Sequence, residues 1–254
     1  MSARPRVGLF VTCLADLVRP QIGFASVKLL EQAGCDVDVP AVQTCCGQPA
    51  WNSGADRHAR DIARNVIAAF EAFDYVVVPS GSCSGMIKRH YPEVFEKDAA
   101  WLARARALAS KTHELVSFLV NVRGVSGVPA KFAGTVCYHD SCSSRREMGV
   151  VDEPRKLLAS VDGLTLKELT DTQICCGFGG LFSVKYPEIS ERMADDKVAD
   201  IAGSGAQTLA GGDLGCLLHL AGRMERQGGS VEVRHVAEIL ADMGDEPALG
   251  RTRA

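Results

Sequence analysis

The sequence has no run of about 20 consecutive apolar residues, the length a helix needs to span a bilayer. Its first residues, MSARPRVGLFVTC, lack the apolar core of a secretory leader. It also lacks any long run of lysine or arginine, and the net charge is −3, so nothing is present to neutralise a phosphate backbone. The expectation is a cytoplasmic protein with no transmembrane segment and no nucleic-acid partner. Nucleotide motifs are missing as well. CGFGG (176–180) fails as a dinucleotide fingerprint because Phe182 stands where the last glycine belongs, and GSCSGMIK (81–88) has the wrong glycine–lysine spacing for a phosphate loop. There is no flavin motif and no serine nucleophile elbow.

What remains is a chain of 254 residues, room for one large domain or two small ones, whose 46% hydrophobic and 23% charged residues describe a globular protein with a real core. It carries ten cysteines. A reducing cytosol disfavours structural disulfides, so ten thiols direct attention to metal or redox chemistry.

The cysteines repeat. QTCCGQ (43–48) is answered by QICCGFGG (173–180). Cys13 precedes Cys45 by 32 residues and Cys83 follows Cys46 by 37; Cys142 precedes Cys175 by 33 and Cys216 follows Cys176 by 40. The segments between them correspond too. RVGLFVTC (6–13) and GTVCYHDSC (134–142) read as strands ending on a cysteine, DVDVP (36–40) and LTLKEL (164–169) as short strands before each CCG, and YVVVPSGSC (75–83) and AQTLAGGDLGC (206–216) as strands running into a glycine-bearing turn. After each CCG, apolar residues fall at helical spacing: Ile62, Ala63, Val66, Ala69, Phe70 and Phe73, then Ile189, Met193, Ala194, Val198 and Ile201, with Pro187 in a first turn. Alternating strands and helices predict an α/β fold of two pseudo-repeated Rossmann-like halves with mainly parallel sheets, in which the cysteines sit at the strand ends where ligands bind. The first half spans 1–128, the second 129–243, with the boundary near the glycine-rich stretch 121–134, and 244–254 reads as a frayed, disordered tail.

Adjacent cysteines narrow the chemistry. An isolated cysteine is most often a small buried apolar residue, but four at matched spacing, twice, is a different observation. A disulfide between sequence neighbours closes a strained ring. Zinc takes four separate ligands, with paired cysteines usually spaced CxxC. An iron–sulfur cluster is larger, so neighbouring side chains reach different irons, and four thiolates hold one cluster. The glycine after each pair would let the backbone approach the inorganic core without a Cβ. Such a core carries a net charge of roughly −2, which helix N-termini and nearby Lys88, Arg89, Arg145, Arg146 and Lys185 would offset, although each of these suits a solvated helix face equally well. Two other readings stay open: a cluster-free dithiol redox couple, which would tolerate loss of the distal cysteines, and a zinc-stabilised assembly module. Outside the repeat, Cys35 reads as a small residue before a strand and Cys137 as buried. His139 and His219, each three residues from a repeat cysteine, are placed to tune or ligate a metal, a hydrogen bond being favoured over a direct bond.

The doubled CCG with its flanking cysteines, together with PSGSCSGM (79–86), YHDSC (138–142) and CCGFGGLFS (175–183), resembles the cysteine-rich CCG domain found twice in the CCG subunit of heterodisulfide reductase and in the glycolate oxidase iron–sulfur subunit. Over residues 6 to about 240 the chain is most similar to the shorter lactate-utilisation protein A family. The resemblance implies an iron–sulfur electron-transfer subunit, not autonomously catalytic, in a complex that oxidises L-lactate to pyruvate or acts on glycolate or a related 2-hydroxy acid. Its implied partners are a ferredoxin-like iron–sulfur protein and a further lactate-utilisation subunit. The implied ligands are Cys13, Cys45, Cys46 and Cys83, then Cys142, Cys175, Cys176 and Cys216, for one [4Fe–4S] cluster per half. In the heterodisulfide reductase subunit the third limb is a CxxC; here the first positions of that limb are Ser80 and Asp213, which leaves four thiols per half rather than five.

Overall fold

A computed structural model describes residues 4–250. It contains two four-stranded, wholly parallel sheets of identical order. In the first, β1 (Arg6–Leu9) lies between β2 (Asp36–Asp38) and β3 (Tyr75–Val78), and β4 (Thr112–Glu114) closes the edge beside β3. In the second, β5 (Lys131–His139) lies between β6 (Asp162–Lys167) and β7 (Thr208–Gly211), and β8 (Glu232–His235) lies beside β7. The expected α/β halves with parallel sheets are present, and the sequence repeat is a structural repeat.

The central strands β1, β3, β5 and β7 are apolar because both of their faces are covered, as parallel sheets require. Along β3, Val77 points to one side and Val76 and Val78 to the other. Along β5, Val136 and Tyr138 face one side and Cys137 the other. The inward faces meet in a single core that both halves build: Val7, Leu9 and Leu29 pack with Val136, Tyr138 and Ile239. Across it the helix Gln21–Gln32 lies on the helix Val236–Leu240. The outward faces are covered by the helices that follow each CCG, Asp56–Phe70 and Pro187–Gly203, at the positions read from periodicity except for Phe73, which lies beyond the first helix but packs in the same core.

Cys137 is fully buried in these cores, as expected, and so is Cys35. The expected tail at 244–254 lies partly outside the described residues. Within them Ala248 and Leu249 are buried, and the Leu249 N–H donates to Val233 O (2.8 Å), which anchors this stretch to β8.

Candidate functional site

Each half delivers its four repeat cysteines from three chain segments at the carboxyl ends of its strands. After β1 and β5 the chain turns into the helices Cys13–Val18 and Cys142–Arg146, so that the first cysteine opens a helix. A hydroxyl one residue before it caps each: Thr12 accepts from Ala15 N–H and Ser141 from Ser144 N–H, both at 3.3 Å. Thr12 does so with φ of 77°, a conformation a β-branched residue rarely holds. The last cysteine of each half stands in the first turn of the helix after the third strand, Cys83 in Gly81–Gly85 and Cys216 in Leu214–Arg226.

The cysteine pairs lie in the loops that follow β2 and β6. Gly47 and Gly177 hold φ of 85° and 83°, and a Cβ on Gly177 would come within 2.5 Å of Ser190 O. The glycine is therefore needed for a left-handed turn and for the close approach of the following helix, a local reason distinct from the expected contact with an inorganic core. In that turn the N–H of Gly47 points at Cys45 Sγ, and that of Gly177 at Cys175 Sγ, each at 3.4 Å.

The eight sequence-identified thiols form two matching chains of contacts: Cys13 to Cys45 to Cys46 to Cys83, and Cys142 to Cys175 to Cys176 to Cys216. Hydrogen bonds from Cys13 and Cys46 hold the Cys45 thiol far below its ordinary range, and Cys142 and Cys176 do the same to Cys175. Their neighbours move the other way. Cys13 and Cys142 are pushed up by the hydrogen bond to that central sulfur and by burial, as are Cys46 and Cys176. Each half thus links four sulfurs in one chain of contacts that runs through its CCG pair.

These sulfurs are strung out rather than converged on a point. A tetrahedral zinc ion about 2.3 Å from each sulfur needs all four within roughly 4 Å of one another. Among the described residues, the one trio of possible ligand atoms within 4.8 Å of one another is His139, Cys176 and Cys216. Four thiols in an open row, with N–H groups aimed at sulfur, fit a multi-iron cluster better than a single ion.

Residues with no sequence signal hold the loops. Gln43 uses Oε1 to accept from Val11 N–H (2.8 Å) and Nε2 to donate to Pro40 O (3.1 Å), tying the first loop to the end of β1. Tyr91 donates its hydroxyl to Cys46 O at 2.9 Å. In the second half Lys197, fully buried, donates to Asp171 O (2.7 Å), and Asp200 accepts from Thr170 N–H (2.8 Å). Two of the basic residues considered for charge balance are used elsewhere, Lys88 on Thr112 O and Arg89 on Glu147 O.

The histidines divide. His219 shares a hydrogen bond with Ser190 Oγ (3.3 Å), which in turn donates to Gly177 O (2.8 Å). His139 is 1% exposed and neither ring nitrogen has a hydrogen-bond partner, a state that costs about 1–3 kcal/mol for each unsatisfied group. Burial depresses its pKa to about 3.

The two sites differ in access and are joined through their third limbs. Cys13 is exposed, at a cleft of about 310 Å³ lined by Val11, Thr12, Asp16, Pro40 and Cys45, whereas its counterpart Cys142 is half-buried; Cys216 is buried where Cys83 is half-buried, and Cys46 and Cys176 are both buried. Asp213 accepts from Ser82 N–H (2.9 Å) and Ser80 Oγ (3.2 Å) across the boundary between halves. The two positions that carry no extra cysteine therefore bind each other. Gly81 makes room there, since a Cβ would lie 1.9 Å from Ser144 Oγ.

Comparison with known proteins agrees with this construction. The cysteine-rich CCG domain family matches residues 7–88 and again 136–221. Lactate utilization protein A of an Exiguobacterium species is 49% identical over 93% of this chain and 97% of its own length, and that of Bacillus cytotoxicus 48% over 92% and 98%. A hypothetical protein from Helicobacter pylori has a similar fold, with a TM-score of 0.64 at 12% identity over 97% of this chain and 52% of its own. Two cysteine-rich domains in one short chain, aligned over nearly the full length of these relatives, make this protein a member of the lactate utilization protein A family.

Proposed function

We propose that this protein is an iron–sulfur electron-transfer subunit that serves the oxidation of L-lactate to pyruvate. The observation that carries the reading is the doubled row of four thiols, each at a sheet's carboxyl edge and each with a backbone N–H aimed at one of its sulfurs. Cys13, Cys45, Cys46 and Cys83 would hold one [4Fe–4S] cluster, and Cys142, Cys175, Cys176 and Cys216 a second. When bound, such a cluster supplies reversible one-electron storage, with a potential set by burial, hydrogen bonds to sulfur and local charge. The chain's own groups perform the tuning. Gly47 and Gly177 N–H groups donate to sulfur, Thr12 and Ser141 fix the helices that present the first ligands, and the surrounding core buries Cys46, Cys176 and Cys216.

The lactate assignment rests on the names of the relatives. Oxidation of lactate itself belongs to partner subunits, a ferredoxin-like iron–sulfur protein and a further lactate-utilisation protein, acting in the cytoplasm; no described helix is long and apolar enough to cross a membrane. The test is growth on lactate or glycolate of a bacterial host deleted for its own copy. The native chain restores growth on lactate, and Cys45→Ser and Cys175→Ser do not; restoration on glycolate alone would transfer the assignment to that substrate. A dithiol redox couple is the second reading, favoured by the depressed Cys45 thiol beside Cys46. It predicts that Cys83→Ser still supports growth, whereas a cluster site does not.

A further inference from the structure

We propose that His139 is a hydrogen-bond donor to the sulfur-bound group of the second site, a contact the first site lacks, and that it raises the reduction potential of that site. The inference rests on the iron–sulfur reading above.

The halves are alike in strand order, in capping and in their rows of thiols, so a difference between equivalent positions carries information. Three residues before the first cysteine, where the central strand ends, the second half has His139 and the first half has Phe10. Both are buried beside a cysteine of their own half. Phe10 sits in the apolar core that contains Cys46. A ring nitrogen of His139 and the sulfurs of Cys176 and Cys216 lie within 4.8 Å of one another. Phenylalanine fills its place with carbon and needs nothing more. A neutral or protonated imidazole carries at least one N–H, and this ring is 1% exposed with both nitrogens unpartnered. Buried polar groups in folded proteins have partners, so an orphaned ring beside two sulfurs points to a partner those sulfurs hold.

The direction of the effect follows from charge. Reduction adds an electron to a group already surrounded by thiolates, and burial of Cys176 and Cys216 makes the added charge costly. An N–H dipole directed at sulfur stabilises the reduced form more than the oxidised form and raises the potential. The first site opens instead on a solvent cleft beside exposed Cys13. The two halves thus differ in their means of bearing the same added electron, an exposed ligand position at one site and a buried imidazole at the other.

The test is a redox titration followed by electron paramagnetic resonance on the full chain, reconstituted anaerobically. Cys45→Ser identifies the second-site signal by removing the first. In His139→Phe, which copies the first half, the second-site signal should need a potential lower by the equivalent of about a tenfold change in the reduced-to-oxidised ratio, ~59 mV for one electron, with the other signal unmoved. His139→Gln keeps an N–H donor and should recover most of the shift. The reciprocal Phe10→His should raise the first-site midpoint, and it carries the test if His139→Phe fails to fold. Unmoved midpoints at full iron content in every folded variant overturn the donor role and leave the cluster reading intact. Loss of second-site iron from both His139→Phe and His139→Gln, with the fold intact, makes His139 a ligand and overturns the donor role. Absence of any reducible iron–sulfur signal in the native chain overturns the function proposed above and this inference with it.

Discussion

Gly177 shows how a single residue sets the second site. Its φ of 83° is one that side chains rarely adopt, and a Cβ there would meet the carbonyl oxygen of Ser190 at 2.5 Å. Ser190 cannot yield freely, because its hydroxyl donates to Gly177 O and also shares a hydrogen bond with His219. Gly177→Ala should therefore destabilise the protein by about 1–3 kcal/mol, read from urea unfolding. The same change at Gly47, where the nearest atom is the flexible Ile62 side chain at 3.2 Å, should cost less. The cysteine pattern itself was legible in the sequence because the repeat fixes which segments correspond, and the structure gathers each set of four at one sheet edge. The orphaned state of His139 was not, since only the packed structure shows that no other described residue hydrogen-bonds to its ring. Nor was the reason for the glycine, which lies in the approach of a helix residue 13 positions along the chain.

At the scale of elements, the strands that end at the sites were legible and the fourth strand of each sheet was not. β1, β3, β5 and β7 are apolar and bounded by turn residues. β4 (THE) and β8 (EVRH) are short and polar, so no alternation marks them; their pairing with β3 and β7 makes them strands. Their polar ends serve as helix caps. Glu114 accepts from Ser117 N–H (2.9 Å), and His235 caps Val236–Leu240 while its Nε2 donates to Pro79 O (3.2 Å) in the other half. Glu114 is 2% exposed, and burial raises its pKa from 4.5 to about 7. Its folded-state affinity for a proton thus exceeds the unfolded value, so its contribution to stability is fully present below pH 4.5 and is lost as pH rises through 7. Glu114→Gln should remove that loss. The difference in unfolding free energy between variant and native chain should increase in favour of the variant between about pH 4.5 and 7, by on the order of 3 kcal/mol at most. A difference independent of pH would contradict the account.

At the scale of the whole molecule the two halves share one core, which predicts that they unfold together. Their shared core places Leu29 and Leu30 against Ile239 and Leu240, and Arg19 of the first half donates from Nε to Glu238 of the second at 2.8 Å. Glu238 is fully buried and Arg19 is 9% exposed. Arg19→Ala would leave a buried carboxylate without its cation, and it should cost about 3–5 kcal/mol, with calorimetry still showing one transition at a lower temperature. Two separate transitions in the native chain would contradict a shared core. The joining of the halves was hidden in the sequence because Ser80 and Asp213, or Arg19 and Glu238, become neighbours only when one half is docked on the other. That docking also has a functional reading: the third limb of one site is hydrogen-bonded to the third limb of the other, so the two thiol rows are tied to each other directly.

The central claim is that both thiol rows hold iron–sulfur clusters. The measurement that tests it most directly is iron and acid-labile sulfide content, with electron paramagnetic resonance before and after dithionite, on protein purified without oxygen. About eight irons and eight sulfides per chain are expected, from four of each per cluster, together with a reducible signal of which Cys45→Ser removes one part and Cys175→Ser the other. Colourless protein free of iron, with its thiols titratable and its fold intact, would contradict it.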